Sequence, residues 1–150
     1  MHAMDIMRME SGFLHWGHDI SPEENQYEAG LKFAISFKKN VNFIGKDSLL
    51  KIKDQKPKKQ LAMFALNESK PREPLLLHEE PIYLDDKIIG RTTSGNYSFN
   101  FNKNISYGYI NSGNDKKGLE GKNLFIEIEK KKFSVKILEK PLNLKNYKSI

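Results

Sequence analysis

A change of rhythm at about residue 58 limits what this chain can fold into more than any other feature. Beyond it, apolar residues return at every second position in short runs, and turn residues break the runs roughly every ten positions. Successive side chains of a strand point to opposite faces, so this rhythm belongs to half-buried β-strands. Residues 60–66 read as one strand, followed by a loop rich in proline and charge over 67–80. Residues 82–84 and 87–93 read as a hairpin around Asp85-Asp86, and residues 105–110 as a further strand. Residues 123–129 and 133–139 form a second hairpin around Lys130-Lys131-Lys132. In its second arm Phe133, Val135 and Ile137 face one way, while Ser134 and Lys136 face the other. Within Thr93-Ser94-Gly95-Asn96-Tyr97-Ser98, residues Ser94 to Tyr97 read as a loop between strands, with Gly95 free to adopt positive φ. Short strands so spaced predict an antiparallel barrel or sandwich.

The first 57 residues read as mixed α and β. Residues 5–10 are predicted to form a short strand. Ser21 precedes Pro22, and Glu24 stands three residues after Ser21. That is a capping box with proline at the first helical position, predicting a helix from Ser21 to Ala29 closed by Gly30. Leu31, Phe33, Ile35 and Phe37 alternate as one face of a strand over 31–37. A second short helix is expected over 47–53, ended by Pro57. The expected fold class is α+β, mostly β: a short α+β piece followed by a C-terminal antiparallel β-barrel.

Composition narrows the function classes. The net charge is +6, carried almost wholly by lysine, with only Arg8, Arg72 and Arg91 as arginines. Base-reading and phosphate-clamping sites favour the guanidinium fork, so a nucleic-acid role is disfavoured. Tyr97, Phe99 and Phe101 at strand spacing could form a base-stacking platform, and that alternative stays open. With no cysteine, disulfides, thiolate metal sites and a cysteine nucleophile are excluded. His15 and His18 stand three apart, but Gly17 lies between them and no further ligand follows at metal spacing, so no metal is expected. There is no phosphate-cradling glycine loop and no dinucleotide fingerprint. Residues 1–12 hold no apolar signal segment, and no run approaches the ~20 apolar residues of a membrane span. The expected location is the cytoplasm.

Several short stretches, in order, carry a resemblance. They are Arg8-Met9-Glu10-Ser11-Gly12, Trp16-Gly17-His18-Asp19-Ile20, Tyr27-Glu28-Ala29-Gly30-Leu31 and Asn42-Phe43-Ile44-Gly45-Lys46. Glu80-Pro81-Ile82, Gly90, the Thr93 to Ser98 stretch and Gly108-Tyr109-Ile110 follow. Together they resemble the aminomethyltransferase family, typified by the T-protein of the glycine cleavage system. The Trp-Gly-His-Asp-Ile and Glu-Ala-Gly-Leu versions most resemble the folate-binding C-terminal portion of dimethylglycine and sarcosine dehydrogenases. The absence of cysteine departs from a related iron–sulfur assembly branch, whose hallmark cysteine loop would fall at residues 42–46.

The resemblance implies that residues 1–57 are the C-terminal piece of a folate-binding domain and that 58–150 are the family's barrel. It implies tetrahydrofolate as cofactor of the complete enzyme, in one-carbon metabolism, with no flavin site in this chain. Arg8 matches an arginine that faces the folate, where a guanidinium can donate two parallel hydrogen bonds. Trp16 matches an aromatic position near the pterin, and Tyr97 lies in a loop near the mouth of the site. Read on their own, Arg8 fits an ion pair with Glu10 or Asp19, and Trp16 fits a core position. No catalytic residue is expected, because the family's proton-handling aspartate lies upstream of the arginine motif. The chain is thus expected to begin inside a domain, with an exposed edge at its first strand. Its expected partners are folate and the N-terminal part of the enzyme, in the same or a separate chain, or a second copy of itself. A non-catalytic folate- or protein-binding barrel is the alternative.

Overall fold

The alternating runs pair with one another. The computed structural model describes residues 2–39, 41–114 and 116–138. Six strands, β1 (Lys59–Leu66), β2 (Pro81–Leu84), β3 (Lys87–Ser98), β4 (Lys103–Asn111), β5 (Leu124–Ile128) and β6 (Lys131–Leu138), form an antiparallel closed barrel. Their order around it is β1-β4-β3-β2-β5-β6, and β6 pairs back onto β1. Closure gives every strand a neighbour on both sides, though β1 meets β6 only over Met63–Leu66.

The side chains fall into two apolar layers. Phe64, Leu66, Ile82, Ile89, Ile110, Leu124, Ile126 and Val135 fill the barrel, joined by Leu119 from a short 3₁₀ turn at Lys117–Leu119. The second layer lies outside the wall. Leu61, Met63 and Ala65 of β1 and Ile105, Tyr107 and Tyr109 of β4 pack there against Met9 and Phe101, with Ile6 and Leu14 at the margin. Strand β1 therefore has no water-facing side, and all six residues from Leu61 to Leu66 are buried. Gly90 is required where β3 meets β4, because a Cβ there would lie 1.9 Å from the Tyr109 carbonyl oxygen.

The strands expected after residue 58 form, with two corrections. Strand β3 runs on to Ser98, so residues 94–97 are strand rather than loop. The second hairpin turns at Glu129-Lys130, both at positive φ (50° and 65°), because Ile128 pairs directly with Lys131. Glu139, the expected end of that hairpin, lies outside the described residues.

The N-terminal elements differ more. Residues 5–10 belong to a helix, α1 (His2–Glu10), whose Ile6 and Met9 share a face three residues apart and rest on the barrel wall. Residues 5–10 being helix, the exposed strand edge expected there does not form.

Residues 21–29 are turns, not helix. Glu24 does reach back to the Ser21 amide at 2.7 Å. A second reciprocal pair follows at once, however: Asn25 caps the Tyr27 and Glu28 amides, and Glu28 accepts from the Asn25 amide. Two local turns thus use donors that a helix would need. Residues 31–37 hold only a 3₁₀ turn at Lys32–Ala34, with Phe33 85% exposed, in place of the expected strand. The second helix is present as α2 (Lys46–Ile52), ending before Pro57. No helix among the described residues is long and apolar enough to cross a membrane.

Candidate functional site

The centre of the polar chemistry is Asp19, whose side chain has no solvent exposure. An ionised carboxylate in such a place must be fully hydrogen-bonded. Its Oδ2 accepts from Arg8 Nη1 at 2.6 Å and from the His15 amide at 2.9 Å. Its Oδ1 accepts from the hydroxyls of Thr93 at 2.6 Å and Ser94 at 2.7 Å. Consecutive strand residues ordinarily point to opposite faces, so two neighbours meeting one oxygen needs an irregularity. The pairing of β3 with β4 shifts between Thr92 and Ser94, and this bulge turns both hydroxyls toward Asp19. The Tyr109 hydroxyl donates to the Asp19 carbonyl at 2.8 Å.

Arg8 is held just as fully. Besides Asp19, Nη1 donates to the Phe13 carbonyl at 3.3 Å and Nη2 to Ser94 Oγ at 2.8 Å. Its Nε is buried without a hydrogen-bond partner, 3.5 Å from the Asp5 carboxylate. Glu10, also buried, accepts from the Ser98 hydroxyl and from Asn100 Nδ2, tying the end of α1 to the end of β3. Burial raises the Tyr107 phenol above its usual range, and Asp19 adds to this while Arg8 opposes it. Burial likewise raises Tyr109, with Glu24, Asp19 and Glu28 adding to it. For Glu24, burial pushes upward, but the Lys59 ammonium 2.5 Å away and the Ser21 hydroxyl and amide outweigh it, and its carboxyl sits below the usual value.

A cavity of about 370 Å³ opens beside Arg8, lined among others by Asp5, His15, His18, His78 and Asn96. The His15 and His18 rings are 4.6 Å apart. No group of three or more histidine and acidic side chains among the described residues is placed to hold a metal ion. A second cleft of about 620 Å³ adjoins the first, sharing Leu77 and Asn96 with it, and is lined by Leu75, Tyr97 and Phe99.

The three residues expected to contact a ligand do not share one site. Arg8 lines the first cavity and Tyr97 the second, while Trp16 is 67% exposed and lines neither. The two parallel donors expected of Arg8 are both engaged within the protein, leaving Nε as its unmatched donor. Tyr97, Phe99 and Phe101 do not form one stacking row either. Tyr97 and Phe99 meet edge to face, and Phe101 is buried against α1. Sequence reasoning missed the Thr93 and Ser94 hydroxyls, since nothing local announces a bulge.

The family description "Glycine cleavage T-protein C-terminal barrel domain" matches residues 59–143, more than half of the chain. This chain belongs to that family. Residues 1–39 also match the description "GCVT N-terminal domain". Among curated relatives of the family, an aminomethyltransferase of Listeria welshimeri is 35% identical over 140 residues, covering 93% of this chain and 36% of the relative. A 4-methylaminobutanoate oxidase (formaldehyde-forming) of Paenarthrobacter nicotinovorans is 37% identical, covering 78% of this chain and 14% of the relative. Human mitochondrial dimethylglycine dehydrogenase is 30% identical, with 95% and 16% covered. The chain thus spans well under half the length of these proteins. The crystal structure of the glycine cleavage system aminomethyltransferase T from Bartonella henselae shares the fold, with a TM-score of 0.78 at 22% identity over 93% of this chain and 38% of that one.

Proposed function

We propose that this chain is the C-terminal portion of a tetrahydrofolate-dependent aminomethyltransferase, or of a related dimethylglycine- or sarcosine-dehydrogenase-like enzyme, and performs no one-carbon transfer alone. Arg8 carries the reading. It lines a cavity from within a buried polar network, in a family whose relatives are named as aminomethyltransferase and dimethylglycine dehydrogenase. Residues 1–57 are a piece of the folate-binding domain, and the barrel supports them from behind. Tetrahydrofolate, when bound, takes up the one-carbon unit. The chain's own residues supply one wall: Asp19 and Ser94 hold the guanidinium of Arg8 in the cavity lining, and Thr93 holds Asp19. Glu10 and Asp19 are committed to internal partners, and Asp5 is paired with Arg8. The family resemblance implies that the acid that handles the proton lies in a part of the enzyme outside these residues.

That part docks on the N-terminal face. Among the described residues, nine of the thirteen large apolar side chains that are exposed lie before residue 58, including Phe13, Trp16, Phe33, Phe43 and Ile44. A concentration of this kind marks a contact surface.

Calorimetric titration of the chain with tetrahydrofolate, alone and mixed with a polypeptide supplying the rest of a GCVT N-terminal domain, tests this. Weak binding alone, strengthened in the mixture and accompanied there by transfer from an amine donor, is expected. No binding in either case, or full transfer by this chain alone, would overturn it.

A further inference from the structure

Charge divides the exposed apolar side chains before residue 58 into two groups. Met4, Met7, Phe13 and Trp16 fall in residues 1–31, where six acidic residues stand against Arg8 alone. Phe33, Val41, Phe43, Ile44 and Leu50 fall in residues 32–58, where eight lysines stand against Asp47 and Asp54, a net charge of +6. None of the described residues from 32 to 58 is buried, although Ala29 before them and Leu61 after them belong to the core. Nor does any of those lysines enter an ion pair among the described residues. The stretch thus carries unmatched positive charge and uncovered apolar surface together.

It is a folded lobe nonetheless. The Phe37 and Phe43 rings stand 6.5 Å apart, and the Lys53 ammonium lies 5.9 Å from the centroid of Phe37, so the residues before α2 fold back against its end. The Tyr27 hydroxyl donates to the Leu49 carbonyl at 3.2 Å and ties α2 to the turns before it. Along α2, Lys46, Leu50 and the capping Lys53 recur at helical spacing and share a face. Ile44, at the turn into α2, is fully exposed.

A lysine ammonium is a compact charge that attracts anions without reading their shape. A nucleic acid would satisfy it but has no use for exposed aliphatic tips. An anionic bilayer meets both needs, with negative headgroups at its surface and acyl chains just beneath. We propose that residues 32–58 form a basic lobe that seats this protein reversibly on an anionic lipid surface. The lysines lie among the headgroups, and Val41, Ile44 and Leu50 enter the interface below them. The proposal is independent of the folate reading. It leaves Met4, Met7, Phe13 and Trp16 for the part of the enzyme outside these residues.

The test sediments the full chain with vesicles of phosphatidylcholine alone, and of phosphatidylcholine containing about one-third phosphatidylserine. Sedimentation with the anionic vesicles only is expected, and it should be lost between about 0.1 M and about 0.5 M salt as the charges are screened. A lysine close to an anionic surface is worth about fivefold in binding, so the double change Lys51→Glu, Lys53→Glu should weaken it at least about tenfold. Ile44→Ser should weaken it about fivefold through lost apolar burial. The double change Lys130→Glu, Lys131→Glu alters the net charge equally but on the barrel hairpin, and should leave binding within about twofold. All five side chains are exposed, so unchanged circular dichroism confirms that the variants fold. No sedimentation with anionic vesicles overturns the proposal. So does an equal loss in the hairpin variant, which would make net charge the whole cause, and so does full binding by Ile44→Ser. Tighter binding of a single-stranded oligonucleotide than of the anionic vesicles would overturn it in favour of nucleic acid.

Discussion

Asp19 accepts four hydrogen bonds without touching water, and one of the donors is a cation. Removing the carboxylate strands the Arg8 charge and three further donors in a dry setting. Asp19→Ala should therefore cost about 3–5 kcal/mol, read as a lower urea midpoint. Tyr107 gives the opposite case. Its hydroxyl is buried and unpartnered, so Tyr107→Phe removes a polar group that gains nothing from the fold and should be neutral or stabilising within about 1 kcal/mol. The same phenol titrates above its ordinary value of 10.0 in the folded chain. Its stability contribution is present below that value and is lost as pH rises from it toward the folded value, because the unfolded phenol ionises first. Denaturation midpoints measured from pH 9 to 11 should fall less steeply for Tyr107→Phe than for the parent chain. At this scale the Arg8–Asp19 pair was legible, because opposite charges in two neighbouring motifs invite pairing. The core position open to Trp16 was not realised: it pairs backbone to backbone with Ile20 and leaves its indole outside.

Among the elements, the barrel strands were readable because alternation survives wherever only one face is buried. In the N-terminal piece only the second helix was readable; residues 5–10 are decided by the wall they lie on and residues 21–29 by rival local turns. Residues 5–10 are too few to separate a period of 2 from one of 3.6, and Ile6 and Met9 choose the helix only by resting on β1 and β4. The Ser21–Glu24 box was correctly seen but stood for a turn, since Asn25 starts a rival turn one residue later. Turn chemistry at the second hairpin also yields a prediction. Glu129 and Lys130 both occupy the left-handed region, which favours Asn-Gly in a two-residue hairpin. The double change Glu129→Asn, Lys130→Gly should stabilise by about 1 kcal/mol, seen as a higher thermal midpoint. A lower midpoint would mean that the lysine side chain contributes more than its backbone costs.

Over the whole molecule, the barrel and the N-terminal piece share one wall. Apolar packing from Met9 and Leu14 and the polar clamps of Glu10 and Asp19 cross the same boundary, so the two should unfold together. Tyr107 and Tyr109 lie at that boundary, and their near-ultraviolet circular dichroism reports it, while the far-ultraviolet signal reports the strands. Coincident urea transitions from the two signals are expected, and an earlier loss of the tyrosine signal would show the layers to be independent.

Strand β1, sandwiched on both sides, also dictates how much change this chain can absorb. A random-substitution library should show a two-beat pattern of permitted residues along Lys131–Leu138, where Lys132, Ser134 and Lys136 meet water. Along β1 the beat should vanish from Leu61 onward, every position rejecting charge alike. Any engineer hoping to solubilise or label this protein has no foothold there.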